Sequence, residues 1–188
     1  MVPGGVRSRE LELNGPLTSD FSPRTIRVGQ GCDAHQLAAG RKLVLGGVEV
    51  SHTTGLAGHS DGDVLIHAII DALLGAAALG DAGQHFPSSD ASLADVSSLL
   101  LLGRVRELLE QAGWRPGNLD ATIVAERPRL APHIPQMRER LASTLGLELE
   151  AVSVKATTTD CMGFTGREEG IAAFAVVTIT TTAERETR

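Results

Sequence analysis

Residues 59–81, HSDGDVLIHAIIDALLGAAALGD, limit most strongly what this chain can fold into. Apolar side chains cover nearly every face of the stretch: Val64, Leu65, Ile66, Ala68, Ile69, Ile70, Leu73 and Leu74. A helix apolar all round is buried, so the rest of the chain must enclose this one. Asp63, His67 and Asp71 interrupt it at intervals of four, just over one turn, and fall along one face. Burying two carboxylates and an imidazole is costly unless they are paired, hydrogen-bonded or metal-bound. The polar stripe therefore either reaches water by a narrow margin or lines a site. Ser60, with Asp63 three residues on, reads as a capping box that starts the helix.

A chain of 188 residues accommodates one domain with a real core. A net charge of −6, no Tyr, one Trp and four Phe argue against nucleic acid, which requires a basic surface and stacking aromatics. No apolar run reaches the length of a membrane span. Cys32 and Cys161 lie far apart with no CxxC pair, so no disulfide framework is expected and each reads as a small core residue. Residues 1–24 lack an apolar signal core, and Glu10, Glu12 and Asp20 balance Arg7, Arg9 and Arg24, unlike a transit peptide. They read as a poorly ordered tail on a cytoplasmic protein, before a single domain at 25–182 and a frayed end at 183–188.

Strand and helix patterns alternate along the domain. TIRVGQGCDAH reads as a strand, and KLVLGGVEV as two short strands turning at Gly46-Gly47. After the first helix, GDAGQHFPSSDASLADV is rich in turn formers and reads as a long loop. Val96 to Gly113 is helical, LDATIVAE a strand, HIPQMRERLASTLG a helix closed by Gly146, and VSVKATT a strand. IAAFAVVTITTT supplies a last, β-branched strand. The expected class is α+β: a mixed sheet with helices packed on one face.

Asp33 and His35 are two apart on a strand and share a face. With a histidine from the buried helix they would make a zinc site of two imidazoles and one carboxylate, and three protein ligands leave a fourth position open for catalysis. A lone His67 is more often a satisfied core histidine. The neighbourhood favours a site, because His59, Asp61, Asp63 and Asp71 crowd the helix start. The loop VKATTTDCMGFTGREEG offers three Thr for phosphate oxygens and Asp160 for a divalent cation, or it is only a polar strand end and a Gly-rich turn. It lacks the spacing of a Walker loop. AERPRLAPHIPQM is either a rigid loop whose backbone reads a flat base or a connector.

Together GCDAHQL, AGHSDGDVLIHAIIDALLGAAALGD, APHIPQMR and VKATTTDCMGFTGREEGIA resemble the 2-C-methyl-D-erythritol 2,4-cyclodiphosphate synthases of the non-mevalonate isoprenoid pathway, in order and spacing from about Arg27 to Ile179. The resemblance implies a homotrimeric phosphorus–oxygen lyase with active sites between neighbouring subunits. In its reaction the 2-phosphate of a CDP-methylerythritol 2-phosphate attacks the β-phosphorus and CMP leaves. It implies Asp33, His35 and His67 as zinc ligands, and His59 and Thr158 as the groups that stabilise the transition state. Asp160 would hold a second ion, Mg²⁺ or Mn²⁺. Asp33, Ala34, His35, His59 and Ser60 would touch substrate. Asp81, Ala82 and Gly83, with Phe86, Pro87, Ser88, Ser89 and Asp90, match the loop that holds the methylerythritol part. Ala125, Glu126, Arg127, Pro128, Arg129, Leu130 and Ala131 match the cytidine loop, and Thr157, Thr158, Thr159 and Asp160 the phosphate loop. Phe164 and Arg167 match residues near the trimer axis, where an isoprenoid diphosphate would bind.

Three positions depart from the family pattern. Asp160 stands where Glu is usual, Ser88 where Asp is common, and Arg129 where Lys is frequent. The resemblance also makes Asp63 and Asp71, one turn either side of His67, candidates for orienting the metal ligands or bonding substrate. A capping role for Asp63 and an interface bond for Asp71 remain open beside that. Two other functions fit the same residues. A zinc hydrolase would release inorganic phosphate or an open-chain product. A non-catalytic trimer with structural zinc would need a fourth protein ligand, which the sequence does not offer.

Overall fold

The computed structural model describes residues 25–182; the expected N-terminal tail and frayed C-terminal end lie outside them. The strands are β1 (Ile26–Ala39), β2 (Leu43–Leu45), β3 (Val48–Val50), β4 (Thr54–Leu56), β5 (Trp114–Val124), β6 (Val152–Thr157) and β7 (Gly170–Thr181). The helices are α1 (Val64–Ala77), α2 (Ala82–His85), α3 (Ser98–Gln111), α4 (Ile134–Leu145) and α5 (Gly163–Gly166). Five strands form a mixed sheet in the order β4-β1-β7-β5-β6, parallel only between β5 and β6, and β2 and β3 pair as a separate hairpin. The class is α+β, as expected.

α1 lies across β1 and β7, α3 packs beside α1 and against β5, and α4 packs beside α3 and against β6. Gly29 and Gly31 make the close crossing of α1 over β1 possible. A Cβ on either would fall within 2.0 Å of a helix carbonyl oxygen, Ala72 O or Ala68 O. Eleven of the fourteen α1 residues are buried, which accounts for the all-round apolar pattern. The inner sheet face supplies Leu119, Ala121, Ile123, Ala173, Ala175, Val177 and Ile179 to the same core. Among the described residues no helix covers the other face: Ile26 and Val28 on β1 are 64% and 65% exposed, and Phe174 and Val176 on β7 are 43% and 45% exposed.

The hairpin turns where expected, with positive φ at both Gly46 and Gly47, and Gly146 closes α4 in the left-handed conformation. Three expectations need correction, and one strand was not expected. The cap of α1 is Asp63, not Ser60: Gly62 turns the chain at φ +74°, so the helix starts one turn later than a capping box at Ser60 would place it. The loop at 80–96 contains α2, capped by Asp81, and a 3₁₀ turn at Ala91–Leu93, capped by Asp90. Strand β4 is too short to leave a periodic signal and forms because β1 offers it an edge. Neither Cys32 nor Cys161 is in the core. Period two turns Cys32 to the face of β1 opposite Gly31, and Cys161 sits in an exposed left-handed turn at φ +63°.

Candidate active site

The close crossing of α1 over β1 brings three donor atoms together. His35 Nε2 lies 2.8 Å from Asp33 Oδ2, and His67 Nδ1 lies 3.1 Å from Asp33 Oδ2 and 3.2 Å from His35 Nε2. A tetrahedral centre with bonds of about 2.0–2.1 Å separates its ligand atoms by roughly 3.3 Å. The donor set and its spacing therefore fit a divalent metal, and among the described residues this is the one group of three His, Cys, Asp or Glu that does. His35 Nδ1 meets the carbonyl oxygen of Ala57, which only accepts, so in the neutral ring Nδ1 carries the proton and Nε2 keeps its lone pair for the cluster. Asp33 Oδ1 accepts from Ala34 N at 2.8 Å, which leaves Oδ2 to the histidines.

Burial works to raise the pKa of Asp33, but its contacts with the His35 and His67 imidazoles outweigh it and hold the carboxyl well below the usual range. The bond to Asp33 raises the pKa of His35 against the opposing effect of burial.

The donors open into a cavity of about 280 Å³, whose wall also includes His59, Ser60, Asp71, Ala82, Gly83, Phe86 and Ser88. His59 Nε2 donates to Asp90 O at 3.0 Å, and His59 O accepts from Asp95 N at 2.9 Å, so the ring is tied to the 86–95 segment. Asp71 Oδ1 accepts from Ala82 N at 2.8 Å and fixes the start of α2 beside the cavity. Asp81 accepts from Gln84 N and Gln84 Nε2, and Asp90 from Ser92 N; Pro87 and Ser89 lie on the same segment outside the cavity wall.

Asp63 serves the fold rather than the cavity. Its fully buried carboxylate accepts from Gly46 N at 3.0 Å, Gly47 N at 2.7 Å and Ile66 N at 3.1 Å, and so joins the β2–β3 turn to the helix that carries His67. Burial pushes its pKa up to about 6 against those three bonds.

A second depression is walled by Ala125, Glu126, Arg127, Pro128, Arg129, Leu130 and Ala131 with Ala156, Thr157 and Thr158. Thr158 Oγ1 donates to Asp160 Oδ1 at 3.3 Å, Thr159 Oγ1 donates to Met162 O at 2.6 Å, and Glu126 accepts from Cys161 N at 3.3 Å. Asp160 and Cys161 both have positive φ. Within one chain His59 and Thr158 therefore face separate cavities. Phe164 borders a third cavity with Ala34, His35 and Gln36, and Arg167 pairs with Glu169 at 2.8 Å.

Two residues around the cluster, Arg41 and Ser98, carry no sequence signal, and Asp61 is marked only by its place near the start of α1. Arg41 donates to Ser60 O at 2.7 Å and to Gly58 O at 3.3 Å, holding the loop ahead of α1. Ser98 reaches His67 from its far side, and Asp61 in turn holds Ser98. No spacing rule links residues 31 positions apart.

The profile of the YgbB family matches residues 26–180. The 2-C-methyl-D-erythritol 2,4-cyclodiphosphate synthase of Syntrophomonas wolfei is 63% identical over 154 residues, 82% of this chain and 98% of that protein. The synthase of Thioalkalivibrio sulfidiphilus is 59% identical over 154 residues, 82% of this chain and 96% of its own. Among solved structures, the bifunctional IspDF from Campylobacter jejuni superposes with a TM-score of 0.82 at 38% identity, over 88% of this chain and 44% of that longer one. The CDP complex of IspF from Plasmodium falciparum superposes with a TM-score of 0.73 at 29% identity, over 84% and 97% of the two chains. With identity this high along nearly all of its described length, the chain belongs to the YgbB family.

Proposed function

We propose that this chain converts 4-diphosphocytidyl-2-C-methyl-D-erythritol 2-phosphate to 2-C-methyl-D-erythritol 2,4-cyclodiphosphate and releases CMP. The observation that carries the reading is the convergence of Asp33 Oδ2, His35 Nε2 and His67 Nδ1 on a cavity, in a chain whose relatives bear the synthase name. The set of two imidazoles and one carboxylate suits Zn²⁺ with its fourth position open. Asp160, a hard oxygen donor, suits Mg²⁺ or Mn²⁺ held jointly with the diphosphate. A divalent ion bound here supplies charge neutralisation and polarises a phosphoryl oxygen.

In the reaction a 2-phosphate oxygen forms the new bond to the β-phosphorus, and the bond from that phosphorus to the CMP oxygen breaks. Two anions must meet in line, so the protein's work is positioning and donor placement. His59, tied to Asp90 O, stands at the cavity to hold one phosphate. Ala82, Gly83 and Phe86 shape the wall for the methylerythritol carbons. The depression from Ala125 to Ala131 offers backbone groups for cytosine, and Thr158 in its wall would meet the phosphates.

These half-sites belong to separate cavities of one chain, so a complete site needs a second copy. The helix-free sheet face, with exposed Val28, Phe174 and Val176, is the surface on which copies would meet, and a homotrimer is the assembly the resemblance implies. Phe164 and Arg167 would then lie near the axis; an isoprenoid diphosphate there would have to compete with Glu169 for the Arg167 guanidinium.

Incubation of the metal-loaded protein with the CDP-linked substrate tests the reading. CMP by chromatography and a cyclic diphosphate by phosphorus NMR are expected. Inorganic phosphate with an open-chain product would establish a hydrolase instead, and intact substrate would rule out both.

A further inference from the structure

We propose that Asp61, acting through Ser98, is a positioning device that sets the tautomer of His67. The inference rests on the metal-site reading above. His67 Nδ1 faces Asp33 and His35, while its other nitrogen, Nε2, points away into a polar pocket at the start of α3. There Nε2 lies 3.1 Å from Ser98 Oγ and 3.0 Å from Ser60 Oγ, and the two hydroxyls are 3.3 Å apart. Ser98 is fully buried and Ser60 nearly so, so water does not decide their orientation.

The hydroxyl orientation follows from what each partner can do. Asp61 offers only acceptors, and it clasps Ser98 at two points: Ser98 N donates to Oδ2 at 3.0 Å and Ser98 Oγ donates to Oδ1 at 2.5 Å. The single hydroxyl proton of Ser98 is thereby committed to the carboxylate, a charge-assisted bond stronger than one to a neutral ring. Ser98 then turns only oxygen lone pairs to its neighbours, so it accepts from Ser60 Oγ at 3.3 Å as well as from His67. With the Ser60 proton directed to Ser98, both hydroxyl oxygens face Nε2 as acceptors and Nε2 is the donor. In the neutral ring Nδ1 then holds the lone pair, and it is the atom aimed at Asp33 Oδ2 and His35 Nε2. Without this chain the choice reverses. Asp33, an acceptor 3.1 Å from Nδ1, would draw the proton onto that nitrogen and block it as a ligand. Metal-bound histidines commonly donate their second N–H in this way, and removing the supporting group typically costs about 10- to 100-fold in metal affinity.

The test uses the full chain with Ser98→Ala and Asp61→Asn. The first leaves Ser60 as the one hydroxyl at Nε2. The second keeps the shape but places an amide N–H where the Ser98 N–H and O–H both need acceptors, so it serves even where the alanine variant fails to fold. Nitrogen-15 NMR of the metal-free protein at pH 8 reads the tautomer directly, and competition with a chromogenic chelator reads the zinc Kd. The wild-type chain is expected to carry the His67 proton on Nε2. Each variant is expected to shift it toward Nδ1 and to raise the zinc Kd about 10- to 100-fold, including in variants that melt at the wild-type temperature without metal. A proton on Nδ1 in the wild type, or folded variants with unchanged tautomer and Kd, would overturn the proposal. An Nε2 proton in a wild-type chain that binds no zinc would support the tautomer assignment and sink the metal reading.

Discussion

Gly31 on β1 lies so close beneath Ala68 on α1 that a Cβ there would sit 2.0 Å from the Ala68 carbonyl oxygen. Ala68 is the residue after His67, so the backbone crossing that excludes a side chain also sets the distance from His67 to Asp33 and His35. A clash with backbone cannot be relieved by a rotamer change; the helix has to move.

Gly31→Ala therefore lifts α1 from the sheet. The expected result is a loss of about 1–3 kcal/mol or more in stability, as for an overpacked core, with zinc affinity at least about tenfold weaker. Denaturant melts and chelator competition check it, and wild-type values in both would show that the helix shifts without disturbing the cluster.

His67→Ala is expected to abolish tight zinc binding and CMP release while the chain stays folded. Two remaining ligands are too few to hold zinc in competition with water. Metal analysis beside the CMP assay decides the matter; a fully zinc-loaded, active variant would refute the ligand assignment.

Thr158→Val keeps the shape and removes the hydroxyl. A preorganised donor to oxygens that gain charge in the transition state is worth on the order of 10²–10³ in kcat, so kcat should fall by that factor with little change in KM. A raised KM at unchanged kcat would make the hydroxyl a ground-state anchor.

Asp160→Glu lengthens the side chain by one methylene and keeps its charge. Its expected effect on turnover is mild, with tighter Mg²⁺ or Mn²⁺, whereas Asp160→Ala loses the second ion. Titration of activity against each metal reads this, and identical curves for all three proteins would leave the ion to substrate alone.

Asp63 gives a dependence on pH. Its carboxyl titrates at about 6 in the fold against an ordinary 3.8, so between those values the folded chain holds a proton that the unfolded chain has lost. Stability therefore falls as pH rises from about 4 to 6, and the contribution is flat on either side. Asp63→Asn lacks this slope. The wild-type minus variant difference in unfolding free energy should thus decline across that window; a difference constant from pH 4 to 7 would show that Asp63 titrates normally.

Local pattern alone made much of the molecule legible. The run from Val64 to Leu74 required a buried helix, because no face of it tolerates water. Gly46-Gly47 and Gly146 marked a hairpin and a helix end, because those positions need positive φ. The alternation of Asp33 and His35 placed both on one side of a strand, and the family motifs supplied His67 as their partner. Non-local contact decided the rest. Asp63, Asp71 and His67 share a spacing of four, yet one binds three backbone N–H groups, one caps the approach to α2, and one faces the donor cluster. Spacing assigns a face but not a neighbour, and here the neighbours come from a hairpin, a short helix and a strand. Ser98 and Asp61 show this most plainly. Nothing in their sequence positions names His67; the packing of α3 against α1 delivers the Ser98 hydroxyl to its second nitrogen.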